Sequence, residues 1–296
     1  SVRSLPQVAK LVPDEPISIP EPIDSYADVH TSSAEDALRF HGVTEEHEAG
    51  IKGAGIVVAV LDTGTDQRHL QQQFDVYATS DFTGGGNPND RQGHGTWCAG
   101  AICSKEYGFA PEARLLSGKV LNDSGSGSYS GIIAGIDWAV RLGAHVISMS
   151  LGGGGQKNSP LNMAVNNAYL KGINVVVAAG NEQRGRIDRV ADRVTPASAR
   201  YATTVAACNL DGVLAPFSNW GYCVDVMALG VNAEGLGLGG HFGRRMSGTS
   251  MVTPYTAGAA GLPRSRGKSA AATKKLLYAH ARNARKYGAI KEGHGL

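Results

Sequence analysis

The stretch Ile56-Val57-Val58-Ala59-Val60-Leu61-Asp62-Thr63-Gly64 is an unbroken apolar run that ends in an acid and a glycine turn. A short, continuous run rich in β-branched residues and closed by glycine marks a strand buried on both faces. Similar runs return at Ala113–Leu121, His145–Leu151, Ile173–Ala179 and Thr203–Cys208. Between them, the spacing of apolar residues predicts helices over Thr96–Ile102, Ser128–Leu142 and Leu161–Lys171. Ile132, Ile133, Ile136, Ala139 and Val140 share one side of the second. Strands alternating with helices predict an α/β fold: a mostly parallel central sheet with helices on both faces, a three-layer sandwich. Such a sheet collects its ligands beyond the carboxyl ends of its strands. Asp62 stands at the end of the first run, Ser150-Leu151-Gly152-Gly153 closes the third, and Gly180-Asn181 closes the fourth.

The remainder of the chain limits what that rim can serve. At 296 residues it can bury one large core, and a net charge of +2 gives no reason to expect a nucleic-acid partner. No apolar segment is long enough to span a bilayer, so no membrane is expected. The 40 glycines follow no collagen-like period and gather at the ends of the apolar runs, as tight loops around a site require. Cys98, Cys103, Cys208 and Cys223 lack the paired spacing of a zinc site, and no metal ligand set is expected. Cys98 and Cys103, five apart on one helix, make poor disulfide partners; Cys208 and Cys223 are read as free thiols or as a pair, and the sequence leaves both open.

Two further stretches carry chemistry. Gly93-His94-Gly95-Thr96 opens a helix, and its glycines let backbone and ligand approach the imidazole. Met246-Ser247-Gly248-Thr249-Ser250-Met251-Val252-Thr253-Pro254 delivers a hydroxyl to the start of an Ala/Gly-rich helix, where unpaired N–H groups favour negative charge. Each residue has a plainer reading when taken alone. Ser250 suits a helix cap, Asp62 a turn after a strand, and Asn181 a left-handed turn.

Taken together, Asp62, His94 and Ser250 follow the chain order of the subtilisin triad. Their contexts Asp-Thr-Gly, Gly-His-Gly-Thr and Gly-Thr-Ser-Met, with Ala-Ala-Gly-Asn before residue 182, make the chain resemble a subtilisin-family serine protease, a subtilase. The likeness extends from about residue 40 to about 262 and takes in Lys119-Val120-Leu121, Val146–Gly153 and Asp225-Val226-Met227-Ala228. It implies a serine endopeptidase with Ser250 as nucleophile, His94 as base, Asp62 orienting it, and Asn181 with the Ser250 N–H receiving the oxyanion. Neither a Gly-x-Gly-x-x-Gly nor a Walker loop follows the first strand, which argues against a nucleotide site. A non-catalytic subtilase-fold scaffold is disfavoured because all four positions carry the competent residue.

The resemblance also implies a substrate path. Gly125-Ser126-Gly127 and Ser150-Leu151-Gly152 should flank an extended polypeptide and pair with its backbone. Tyr129 and Ile132 should line the pocket for the fourth residue before the cut. Ala178-Ala179-Gly180 with Val194-Thr195 should form the pocket for the residue just before it, with Glu182 at its rim. A propeptide or protein inhibitor is an expected partner, the protein is expected to be a monomer, and an extracellular location is implied although no signal peptide is visible. No cofactor is expected for catalysis. The calcium loop that many subtilases insert after the histidine's helix has no room between Cys103 and Gly108, so structural calcium is not expected there.

The ends read differently from the middle. Residues 1–36, rich in proline and acid, carry no lasting period and are expected to form an extended arm over the domain or a disordered leader. A short helix is predicted from Ser33 to Phe40. Residues 37–296 form the catalytic domain, in which Leu262-Pro263 should end the serine's helix early. The basic stretch 264–296 is expected to carry a solvated helix from Ser269 to Ala284.

Overall fold

The computed structural model describes residues 12–20, 32–155, 159–182 and 191–281. Seven strands form one sheet: β1 (Val57–Asp62), β2 (Asp75–Asp81), β3 (Arg114–Lys119), β4 (Val146–Met149), β5 (Asn174–Ala178), β6 (Thr203–Cys208) and β7 (Val226–Leu229). Their order is β7-β6-β5-β4-β1-β3-β2, and every pairing is parallel. The first five apolar runs of the sequence are five of these strands. β2 and β7 lie at the two edges, where shorter or more polar runs suffice.

Alternation along the strands divides the core in two. Val58 and Val60 of β1 join the cluster that holds Trp97, Ile102 and Met251. Val57, Ala59 and Leu61 point the other way, into the cluster of Ile132, Ile136 and Leu161. On the first face pack α2 (His94–Cys103), α5 (Thr249–Ser265) and α6 (Ala270–His280); on the second pack α3 (Tyr129–Arg141) and α4 (Pro160–Leu170). The first helix, α1 (Ala34–Phe40), begins with a reciprocal cap. Asp36 N donates to Ser33 Oγ, and Ser33 N donates to the Asp36 carboxylate.

Two expectations change at this level, and two are made definite. The serine's helix does not stop at Leu262: α5 continues through Pro263 to Ser265. A proline so near the end removes only one helical hydrogen bond and leaves the last turn intact. The basic C-terminal helix is not merely solvated, since Lys274 Nζ lies 3.3 Å from Asp225 Oδ2 and donates to the Ala202 carbonyl. Tyr278 donates to the other oxygen of that carboxylate. The part of this helix expected beyond Ala281 lies outside the described residues. All four cysteines are free, and Cys223 sits in the turn before β7. The arm, finally, contributes a strand: Pro16–Ser18 pairs antiparallel with Ser126–Ser128.

Candidate active site

At the carboxyl end of β1, Asp62 and His94 are each 1% exposed, and His94 Nδ1 donates to Asp62 Oδ1 at 2.8 Å. The same oxygen accepts the Thr63 N–H at 2.7 Å, while Asp62 Oδ2 and His94 Nε2 have no hydrogen-bond partner. Burial disfavours the imidazolium, but the adjoining carboxylate overrides it and holds the His94 pKa well above the usual histidine range.

The loop that carries Asp62 is fastened to the helix that carries His94 through a second buried acid. Asp90 accepts from Thr63 Oγ1, Gln92 N and Gly93 N on one oxygen, and from Thr96 N and Oγ1 on the other. Thr63 Oγ1 in turn accepts from Gly95 N at 2.9 Å. Lys119 Nζ donates to the Thr63 carbonyl at 2.7 Å. Gly64 makes this closeness feasible: its φ is +99°, and a β-carbon there would meet the Pro88 carbonyl oxygen at 2.2 Å. Asp90, the hub of these bonds, was not singled out from the sequence. Asp90 follows a Gly-Gly-Gly-Asn-Pro-Asn run and reads as a turn acid; its place four residues before His94 is the one local hint.

Ser250 lies in the first turn of α5, after Gly248. Its hydroxyl donates to the Ser150 carbonyl at 3.4 Å, so the structure brings it beside His94 in one cleft without closing the serine–histidine bond. Pro254 has no N–H, which leaves the Ser250 carbonyl free of its helical partner. That oxygen accepts from Ser150 Oγ at 2.9 Å, and Cys98 Sγ lies 3.8 Å away. Asn181 Oδ1 accepts from Thr249 N and Thr249 Oγ1, both at 2.8 Å, which orients its amide nitrogen toward the loop before Ser250. A β-carbon on Gly248 would stand 3.0 Å from Asn181 Nδ2 and 3.7 Å from Ser250 N, so glycine keeps the space between these donors open. The cleft of about 360 Å³ is lined by His94, Asn181, Ser250, Gln92, Arg244 and Arg245, and also by Ile19 and Pro20 of the arm.

The remaining expected positions surround this cleft. Gly125, Ser126 and Gly127 face the arm from one side, and Gly152, after Ser150 and Leu151, from the other. Tyr129 and Ile132 are buried in one apolar cluster with Leu151 and Ile17. Ala178-Ala179-Gly180 ends β5, and Val194-Thr195 pairs with Gly153-Gly154. Glu182 accepts from the Asn219 side chain, which also donates to the Ala179 carbonyl. Glu182 itself is exposed, so it stands at the rim with one oxygen held by that amide. After α2 the chain turns straight back, with Phe109 N and Ala110 N donating to the Ala101 and Ile102 carbonyls. Among the described residues, the one cluster of three potential metal ligands is Asp62, His94 and Cys98, already in contact with one another.

A parallel α/β sheet with a buried Asp-His pair and a serine at the head of a central helix defines a class of hydrolase folds. Comparison with known proteins narrows it. Residues 53–295 match the subtilase family. A cuticle-degrading serine protease of Arthrobotrys oligospora is 40% identical over 226 residues, covering 73% of this chain and 53% of that protein. Alkaline serine exoprotease A of Vibrio alginolyticus is 36% identical over 271 residues, covering 88% of this chain and 48% of that protein. Among solved structures, a cold-adapted subtilisin-like serine proteinase superposes with a TM-score of 0.69 at 33% identity, over 76% of this chain and 82% of that one. The chain belongs to the subtilase family. It spans about half the length of the curated relatives it matches.

Proposed function

We propose that the protein is a serine endopeptidase acting on polypeptides bound in extended form. The observation that carries this reading is the buried Asp62–His94 bond, which leaves His94 Nε2 without a partner in the cleft that holds the Ser250 hydroxyl. A rotation of Ser250 Oγ away from the Ser150 carbonyl gives that nitrogen its partner. His94 then takes the hydroxyl proton as the oxygen attacks the peptide carbonyl, and returns it to the leaving amine. Asp62 keeps the proton-bearing nitrogen turned away from the serine and stabilises the imidazolium. Asn181 Nδ2 and the Ser250 N–H, one of the orphan donors of a helix start, receive the oxyanion. Water completes the cycle by hydrolysing the acyl-enzyme.

In this reading the triad and the oxyanion donors do the chemistry without calling on a cofactor. Among the described residues no helix is long and apolar enough to cross a membrane. Kinship with a cuticle-degrading serine protease supports an extracellular site of action for this chain too. A fluorophosphonate probe tests the core of the reading: the chain is labelled and Ser250→Ala is not. Equal labelling of both would remove Ser250 from the role of nucleophile.

A further inference from the structure

We infer that the leaving-group side of the cleft selects substrates by charge, with Arg244 seating a carboxylate on one of the first two residues after the cut. The inference rests on the protease reading and adds the class of polypeptide that this site prefers.

Which wall meets the departing peptide follows from the relay. Ser250 Oγ bonds to the acyl carbon, and His94 Nε2 hands its proton to the leaving amine, so the chain after the cut departs past His94. Two segments flank the imidazole there. One is Gln92-Gly93, immediately before it; the other is the strand Phe242–Met246, which runs into the loop before Ser250. Both line the cleft, the first through Gln92 and the second through Arg244, Arg245 and Met246. The strand pairs antiparallel with Ala233–Leu236, and its side chains alternate: Arg244 and Met246 are half-buried, with Arg245 exposed between them. Trp97 Nε1, one turn along α2 from His94, donates to the Arg244 carbonyl at 3.2 Å. The backbone of the arginine is thereby fixed to the helix that carries the base.

The guanidinium of Arg244 lies over Gly93. Its Nη1 donates to the Gln92 carbonyl at 3.4 Å, and a β-carbon on Gly93 would run into that nitrogen. Glycine just before the catalytic histidine thus makes room for a cation, and one long bond to a carbonyl leaves most of its N–H groups to a ligand. The acids of this wall are already engaged. Asp66 accepts from Arg68 N and Gly239 N, and Asp90 from the two catalytic loops. Glu234 pairs with Arg245 at 3.3 Å. Among the described residues no carboxylate pairs with Arg244. Its planar fork matches a carboxylate, its partial burial weakens screening, and no other ion pair has to break for one to bind. A basic side chain at the same place meets a like charge instead.

The experiment gives the full chain internally quenched peptides that are identical except for Glu, Gln or Lys at the first or the second residue after the cut. The readout is the ratio of kcat/KM for Glu to that for Lys, because damage to the fold lowers both alike. The unchanged chain should favour Glu over Lys by roughly tenfold at one of the two positions, with Gln between them. That ratio should shrink in about 1 M salt, where the Debye length falls to about 3 Å. Arg244→Gln should bring it close to one, and Arg244→Glu should invert it. Equal rates for Glu and Lys in the unchanged chain would overturn the inference, as would a preference that survives both variants. Should Arg244→Glu fail to fold, Arg244→Gln and the salt series still decide. Fluorophosphonate labelling with no peptide cut would also overturn it while leaving Ser250 as nucleophile. Neither labelling nor cutting, with folding intact, would sink the protease reading itself.

Discussion

Two histidines of this chain, His94 buried and His41 half-buried, sit in surroundings that push them toward opposite charge states. His94, at the cleft, faces a carboxylate through Nδ1 and nothing through Nε2; its pKa lies well above the usual range. His41, at the junction of α1 with β7, donates through Nδ1 to the Ala37 carbonyl at 2.7 Å and accepts the Leu229 N–H on Nε2 at 3.3 Å. With both nitrogens engaged by backbone and no acid beside it, desolvation pushes His41 down to about 4, against one opposing hydrogen bond. The structural histidine is satisfied as a neutral ring. The functional one is left a bond short, beside a charge that stabilises it whenever it accepts a proton. An unfilled nitrogen costs stability where it stands, and its presence at this one rim marks where the fold gives up packing for chemistry.

The largest way to break the contrast is Asp62→Asn, which gives His94 a neutral partner as His41 has. Turnover should fall by roughly 10⁴-fold, a figure already known for triads of this kind and not obtained from this geometry. Thermal stability should change little by comparison. The sign of the pH effect follows from the raised pKa: the wild-type relay works only with His94 neutral, so its acylation rate should climb with pH through a midpoint above 6.5. In the Asn variant that midpoint should drop. A pH–rate profile of both forms checks both expectations, and an unmoved midpoint would separate Asp62 from the titration. Next in size is Asn181→Ala. The amide is held by Thr249 through its oxygen, so its removal takes away an oxyanion donor and leaves the sheet untouched. A loss of about 10²–10³ in kcat is expected, the magnitude established for this donor in subtilisin, with KM nearly unchanged. Unaltered turnover would remove Asn181 from the site.

A smaller effect is expected at Asp90, which touches neither substrate nor reacting atom and serves to position the two catalytic loops. Asp90→Asn replaces an acceptor on every side with an amide that presents hydrogens to Thr96 or to the Gln92 and Gly93 amides. Misplacing the imidazole by a fraction of an ångström should cost about tenfold to a hundredfold in kcat. Conservation of the pH–rate midpoint would distinguish this from loss of the relay charge. Asp90→Glu, too long for the loop, should not rescue it.

These residues also show what the sequence could and could not reveal. The apolar run into Asp62, Gly-His-Gly-Thr and Gly-Thr-Ser-Met were legible because strand burial and a helix start leave local patterns. Asp90 was not, because its donors are the Thr63 and Thr96 hydroxyls and the amides of Gln92, Gly93 and Thr96, gathered around it only by folding, and a carboxylate in a glycine-rich loop looks alike whether saturated or idle. The clamp of Lys274 and Tyr278 on Asp225 joins residues about 50 positions apart with no shared period. The arm carried no strand alternation because its ladder partners, Ser126–Ser128 and Gly152, belong to the cleft and accept backbone rather than a side-chain pattern. Pro263 was read as a stop because proline forbids one bond; that this bond was dispensable in a last turn is set by packing.

The smallest expected effect returns to the other histidine. In the unfolded chain His41 titrates near 6.5, and in the folded protein only near 4, so between these values the unfolded state binds more protons. Its contribution to stability is therefore complete above about pH 6.5 and is lost as the pH falls toward 4. Protonation of Nε2 would also break the bond from Leu229 N. One edge of the ring borders a cavity of about 440 Å³ between α1, β6–β7, α5 and α6, where water can soften the desolvation. That reduces the expected loss to about 2 kcal/mol rather than the full value of the shift. Urea unfolding at a series of pH values should show this slope, and His41→Leu should flatten it while leaving the pH–rate midpoint of His94 where it was. A slope that survives the substitution would place the acid sensitivity elsewhere. A midpoint that moved with it would mean that the two histidines, held so differently, are electrostatically coupled after all.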